Sequence, residues 1–218
     1  MPRALFEKTG NAVWMSHLDL MRLFQRAFKR AGLPLTHTQG FSPRPSVSIA
    51  LPLSVGVESV CELLDFDLDG VHVPCDQIRD KLNTALVDGV RVLDVYENGS
   101  KIKNLALLRC AVMLEYDNGV PEGAGERIRE LFARASVTVE KKGKNGIVDQ
   151  DIIPMIRSLD VSTKDNEIVL DAVVCCQNPS LNPMQLSAAI GKYLPDLTPD
   201  FVKCRRVEIF DTDEMIFR

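Results

Sequence analysis

The stretch SHLDLMRLFQRAFKRAG (residues 16–32) decides how the opening half of this chain folds. Ser16 suits a helix N-cap, and Asp19, three residues on, resembles a capping box and complements the positive end of the helix dipole. Leu20, Met21, Leu23, Phe24, Ala27, Phe28 and Ala31 recur at helical spacing. Gly32 and Pro34 then stop the helix. On its N-terminal side RALFEK (3–8) reads as a strand. On its C-terminal side SVSIAL (46–51) and CELLDFDL (61–68) read as strands. In the second, Leu64, Phe66 and Leu68 alternate with Asp65, Asp67 and Asp69, which predicts one wet face. CDQIRDKLNTAL (75–86) is a second helix, with Ile78, Leu82 and Leu86 four apart, and VRVLDVY (90–96) a closing strand. With 35–38 counted as a short strand, the order is strand–helix–strand–strand–helix–strand.

The later half repeats that order. LRCAVMLEY (108–116) reads as a strand and GERIRELFARA (125–135) as a helix. SVTVEKK (136–142) and NEIVLDAVVCC (166–176) are the middle strands. NPMQLSAAIGKYL (182–194) is a helix and CRRVEIF (204–210) the last strand. GKNGIVDQDIIPMIRSLDVS (143–162) reads as an insert. The expected fold class is therefore α+β, with two tandem ferredoxin-like βαββαβ domains. They span 1–100 and 105–218, divided at KIKNLA (101–106), and each has the usual size of a domain.

The chain has 218 residues, 45% of them apolar and 26% charged, values that suit a packed core. No run of 18 apolar residues occurs, so no membrane span is expected. The N-terminus lacks a signal-peptide core, which predicts a cytoplasmic protein. Cys61, Cys75, Cys110, Cys175, Cys176 and Cys204 form no C-x-x-C pair, so no metal site is expected and the thiols read as reduced core residues. Charge is unevenly spread. Residues 1–46 carry Arg3, Lys8, Arg22, Arg26, Lys29, Arg30 and Arg44 against Glu7 and Asp19, a surplus of +5 in a chain whose net charge is −4. Such asymmetry points to a localised anion-binding face.

Arg22, Arg26, Lys29 and Arg30 fall at i, i+4, i+7 and i+8, one stripe opposite the apolar face, suited to tracking phosphates. In THTQGFSPRPSVSIALPLSVGVES (36–59), Pro43 and Pro45 hold Ser42 and Arg44 extended, and Gly40 can supply a positive φ. A loop so stiffened offers the Ser42 hydroxyl and Arg44 to an anion. Phe41, expected to be half exposed, either stacks on a planar ligand or plugs a domain interface. His17, in the first helical turn, is either a proton-transfer group or a capping residue. His37 is a lesser candidate, and His72 reads as a surface turn. Glu58, Ser59 and Glu62, with Asp19, read as supports for the site. Glu62 shares a strand face with Leu64 and Phe66 and is expected to meet an arginine of the basic block.

Residues 14–62 also carry a resemblance to a known family, the radical SAM-linked proteins (DUF2344). Its pattern is a Ser-His-x-Asp helix start, a basic Arg-Ala-Gly-Leu-Pro helix end, a Gly-Phe-x-Pro-x-Pro loop and a Gly-Val-x-Ser turn before a Glu. Here these are Ser16, His17, Asp19, Arg30, Gly40, Phe41, Pro43, Pro45, Gly56, Glu58, Ser59 and Glu62. The residue between the loop prolines is often His in relatives and is Arg44 here; an anion contact survives that change, whereas a general base or metal ligand does not. Relatives occur beside, or fused to, a cobalamin-binding radical SAM protein. The resemblance thus implies such a partner, carrying the iron–sulfur cluster, SAM and cobalamin. No cofactor is expected in this chain, which lacks a C-x-x-x-C-x-x-C cluster. The expected function is accessory: binding an anionic substrate, RNA or tRNA, for the partner enzyme. Two alternatives stand beside it. One is a metal-independent endoribonuclease with His17 as acid or base, similar in architecture to CRISPR RNA-processing proteins; their C-terminal glycine-rich loop is reduced here to a single Gly in 191–210. The other is a structural adaptor docking the radical SAM partner.

Overall fold

The expected helix forms at the expected place. In a computed structural model describing residues 1–70, 72–143 and 146–218, a strand at Arg3–Lys8 (β1) leads through a 3-10 turn, Gly10–Trp14, into a helix at His17–Arg30 (α1). Ser16 is the N-cap, its hydroxyl oxygen accepting from the Asp19 backbone N–H at 3.2 Å. Strands Val47–Ala50 (β2) and Val57–Phe66 (β3), helix Cys75–Ala85 (α2) and strand Val90–Tyr96 (β4) follow. The second half contains Leu105–Glu115 (β5), Ala124–Phe132 (α3), Thr138–Gly143 (β6), Gly146–Asp151 (β7), Ile156–Lys164 (β8), Glu167–Cys175 (β9), Met184–Tyr193 (α4) and Phe201–Asp211 (β10). The chain is α+β and divides into two compact units, Met1–Asn104 with Ile216–Arg218, and Leu105–Met215.

In the first unit the strands lie in the order β4-β1-β3-β2, with all three neighbouring pairs antiparallel. α1 buries Leu20, Phe24, Ala27 and Phe28. Phe24 meets Phe6 edge-on at 4.8 Å between ring centroids, and Phe28 meets Phe66 at 4.9 Å, so the helix is held to the sheet by paired rings. Ile78 and Leu82 bring α2 into the same core. Residues 35–38 contribute only isolated bridges, Leu35 to Leu68 and His37 to Pro45. β3 begins four residues earlier than expected and has no continuous wet face: Cys61 to Leu64 are all buried. It pairs with β1 on one side and β2 on the other, and its acids are partnered. Arg3 grips Asp65 at 2.6 and 3.0 Å, and the Thr36 hydroxyl donates to Asp67 at 3.1 Å. The C-terminal residues close this unit, with Phe217 buried beneath the Arg3 guanidinium at 5.5 Å.

The second unit has the order β10-β5-β9-β8, with β6 and β7 forming a separate two-stranded ribbon. The middle strand assigned to SVTVEKK is therefore corrected. That segment pairs with GIVDQD in a hairpin, whereas IRSLDVSTK (β8), read as part of an insert, pairs with β9. Lys144 and Asn145, within the expected insert, and Val71, beside His72, lie outside the described residues. Burial pushes the thiols of Cys176 and Cys204 up to about 11, as suits small core residues.

Candidate functional site

The outer face of α1 is cationic because its inner face is committed to Leu20, Phe24, Ala27 and Phe28. Arg22, Arg26, Lys29 and Arg30 are all exposed. They are not equivalent. Arg22 reaches Asp19 at 3.4 Å, a solvated pair worth little. Arg30 donates to the Ala85 carbonyl at the end of α2, at 2.5 Å. The side chains of Arg26 and Lys29 make no hydrogen bond or ion pair among the described residues. Two other cations of the opening block leave the surface altogether: Arg3 is held by Asp65, and Lys8 is 1% exposed. In the second unit Arg109, Arg127, Arg129, Arg157, Lys164 and Lys203 are each ion-paired, to Asp171, Asp196, Glu126, Glu214, Glu167 and Glu115.

Lys8 explains the support residues. Its ammonium donates to the carbonyls of Val13 and Met15, each at 3.0 Å. Burial pushes its pKa down and the charge of Glu62 pulls it back up. Among the cations of the basic block, Lys8 thus interacts with the charge of Glu62. Ser59 is fully buried opposite Lys8, its hydroxyl oxygen accepting from the Cys61 N–H at 3.3 Å. Glu58 accepts from the Gly10 N–H at 3.4 Å, and the Gly56 N–H donates to the Val13 carbonyl at 2.8 Å. Asp19 belongs to the cap itself: the Ser16 hydroxyl, 2.7 Å away, holds its carboxyl below the usual range. The GVES turn and the backbone preceding α1 are therefore one hydrogen-bonded structure.

The QGFSPRP loop lies elsewhere. Thr36 and Ser46 bond to Asp67 and to each other, and the Thr38 N–H donates to the Arg44 carbonyl at 2.9 Å. The Arg44 N–H returns a bond to the Thr38 hydroxyl at 3.0 Å. The loop is thus a hairpin continuing past the C-terminal end of β3, whereas Glu58 and Ser59 sit at its N-terminal end. Ten residues of β3 separate these ends, roughly 30 Å of strand. At the tip Gly40 has φ +135°, and Gly40, Phe41, Ser42 and Arg44 are all exposed. Phe41 is not half exposed, as expected, but fully exposed. The Arg44 guanidinium and the Ser42 hydroxyl make no hydrogen bond among the described residues.

α1 joins the two ends. It starts beside Lys8 and Met15, at the GVES end, and Pro34, four residues past Arg30, accepts from Asp69 at the loop end. Its 14 residues span about 21 Å. Sequence reasoning missed two features of the first end. Trp14 is 66% exposed and Leu18 64%, and neither belongs to a helical apolar stripe that would draw notice. It also counted Lys8 with the surface cations, although period two places Lys8 on the same strand face as Ala4 and Phe6. His17 is half-buried and its ring has no hydrogen-bond partner among the described residues. Among the described residues no cluster of three His, Cys, Asp or Glu side chains is arranged to hold a metal ion.

Comparison with known proteins adds a family and a fold. The family described as "Uncharacterized protein conserved in bacteria (DUF2344)" matches residues 2–183. No curated protein matches the chain. A chain of a solved Cbf5–Nop10–Gar1 complex is similar over 98% of this chain and 50% of its own length, at 10% identity and a TM-score of 0.50. A chain of an H/ACA RNP bound to a substrate RNA containing 2'-deoxyuridine is similar over 99% of this chain and 50% of its own, at 10% identity and a TM-score of 0.49. This chain spans about half the length of those it resembles. At 10% identity the likeness to the first of these is one of fold alone.

Proposed function

The chain belongs to the DUF2344 family, and we propose that it binds an anionic substrate of the RNA class along the exposed face of α1 and the QGFSPRP tip. The observation that carries this reading is the run of exposed cations, Arg26, Lys29 and Arg44, whose charged groups have no partner among the described residues. Six named cations of the second unit are, by contrast, neutralised in ion pairs. In a protein of net charge −4, such a track draws a polyanion to one face and the acidic remainder repels it elsewhere. The fully exposed ring of Phe41 supplies a surface on which an unpaired base stacks.

The same proposal assigns each unit a ferredoxin-like fold. Support comes from the element order and from the strand orders β4-β1-β3-β2 and β10-β5-β9-β8, equivalent once the β6–β7 hairpin is set aside as an insertion. The radical SAM partner, with its iron–sulfur cluster, SAM and cobalamin, enters as the enzyme that this chain serves in the cytoplasm; its support is the family signature alone. Among the described residues no helix is long and apolar enough to cross a membrane. The chain acts as a binding component and His17 performs no cleavage.

The test is equilibrium binding to a single-stranded RNA oligomer across a salt series. Arg26→Ala, Lys29→Ala and Arg44→Ala each weaken binding at every sequence alike, and each flattens the log–log salt slope by roughly 0.7. His17→Ala leaves the affinity unchanged and the RNA intact. A wild-type protein that does not bind at low salt, or variants with an undiminished slope, would defeat the proposal.

A further inference from the structure

Trp14 stands where a tryptophan is seldom left by chance. It is the sole Trp in the sequence and is 66% exposed, yet the backbone on both sides of it is pinned. The buried Lys8 ammonium holds the Val13 carbonyl and the Met15 carbonyl, each at 3.0 Å. The Gly56 N–H holds the Val13 carbonyl a second time at 2.8 Å. Gly56 has φ +84°, and a Cβ placed on it would lie 3.6 Å from the Trp14 ring, so the glycine brings its backbone beneath the edge of the indole. A charged group buried to 1% exposure is an expensive way to fix two carbonyls, and the side chain between those carbonyls points at solvent. A large ring on a rigid backbone loses little entropy when it is covered. That is the property of an anchor.

The occupant follows from charge. Leu18, 64% exposed, lies one helical turn before Arg22 on the same face of α1, and Arg26 and Lys29 continue that face. Beyond Leu18 that face therefore carries cations suited to phosphates. We infer that Trp14 is a stacking platform for an unpaired nucleobase, so that the track runs from Trp14 along α1 toward Phe41 and its ligand is single-stranded rather than duplex. Duplexes keep their bases stacked on one another, whereas single strands offer each base face to an aromatic ring. This inference rests on the RNA-binding reading of α1 and deepens it.

The lone tryptophan makes the test direct. Intrinsic fluorescence and anisotropy are followed together while a labelled single-stranded uridine oligomer is added to the full chain. The inference expects fluorescence quenching that saturates with the anisotropy, and loss of iodide quenching in the bound state. Trp14→Ala weakens binding by about 5- to 150-fold with the salt slope unchanged, and Trp14→Phe by less. A duplex of the same length competes poorly. Trp14 is exposed, so its substitution leaves folding intact, which circular dichroism checks. Oligomer binding with unaltered fluorescence and an unaffected Trp14→Ala variant overturns the inference while leaving the basic track standing. Absence of oligomer binding altogether overturns both. Protection of the indole by a protein partner but not by RNA overturns the inference in favour of a docking face.

Discussion

A lysine ammonium taken out of water needs both a countercharge and acceptors, and Lys8 finds them in Glu62 and in the carbonyls of Val13 and Met15. Removing one partner of such a buried arrangement is costly because the others are left without it. Lys8→Met should therefore destabilise the protein by on the order of 3 kcal/mol, seen as a lower urea midpoint with an unchanged slope. Adding Glu62→Gln should cost less than the sum of the two single changes. A Lys8→Met protein within about 0.5 kcal/mol of the wild type would mean that the pin is not energetically real. At this scale the sequence was partly legible. That Glu62 needs a partner could be read, since a carboxylate on the Leu64 and Phe66 face demands one; the hydrogen bonds of Asp19, Glu58 and Ser59 could not. Nor could the approach of Lys8 to Glu62, because it depends on the pairing of β1 with β3.

Elements were legible in proportion to their periodicity. α1 carries caps at both ends and an unbroken 3.6-residue apolar spacing, and it forms where expected. The second unit was harder. Val137 and Val139 alternate cleanly in SVTVEKK, whereas IRSLDVSTK offers little beyond Leu159 and Val161. Period two marks a strand but says nothing of its partner, so the hairpin strand was taken for the core one. The pairing of β5 with β9 supplies its own cross-strand lock. Arg109 donates to both carboxylate oxygens of Asp171 at 2.8 and 2.6 Å, and holds that carboxyl below the usual carboxylate range. A depressed folded-state pKa contributes stability above the unfolded value, about 3.9 for Asp. That contribution is lost as pH falls through the folded value. The urea midpoint should accordingly drop below about pH 4, and Asp171→Asn should flatten that acid limb while lowering stability modestly at neutral pH. An acid limb identical in the variant would remove Asp171 from the account.

For the whole molecule, element order and charge gave the outline: an α+β chain whose positive surplus lies near one terminus. Charge counting could not tell which of those cations face solvent. Arg3 and Lys8 are buried, Arg22 pairs with Asp19 and Arg30 bonds a carbonyl, so the track rests on Arg26, Lys29 and Arg44. Nor could it separate the two ends of β3, which in sequence lie in one continuous signature and in the fold lie roughly 30 Å apart. The function proposed here needs both ends, joined by α1. Ultraviolet cross-linking of the full chain to single-stranded RNA, with the attached peptides mapped by mass spectrometry, tests this most directly. The account predicts cross-links within 13–30 and 36–44, centred on Trp14 and Phe41 and abolished at high salt. Cross-links confined to 105–215, or spread evenly over the chain, would contradict it.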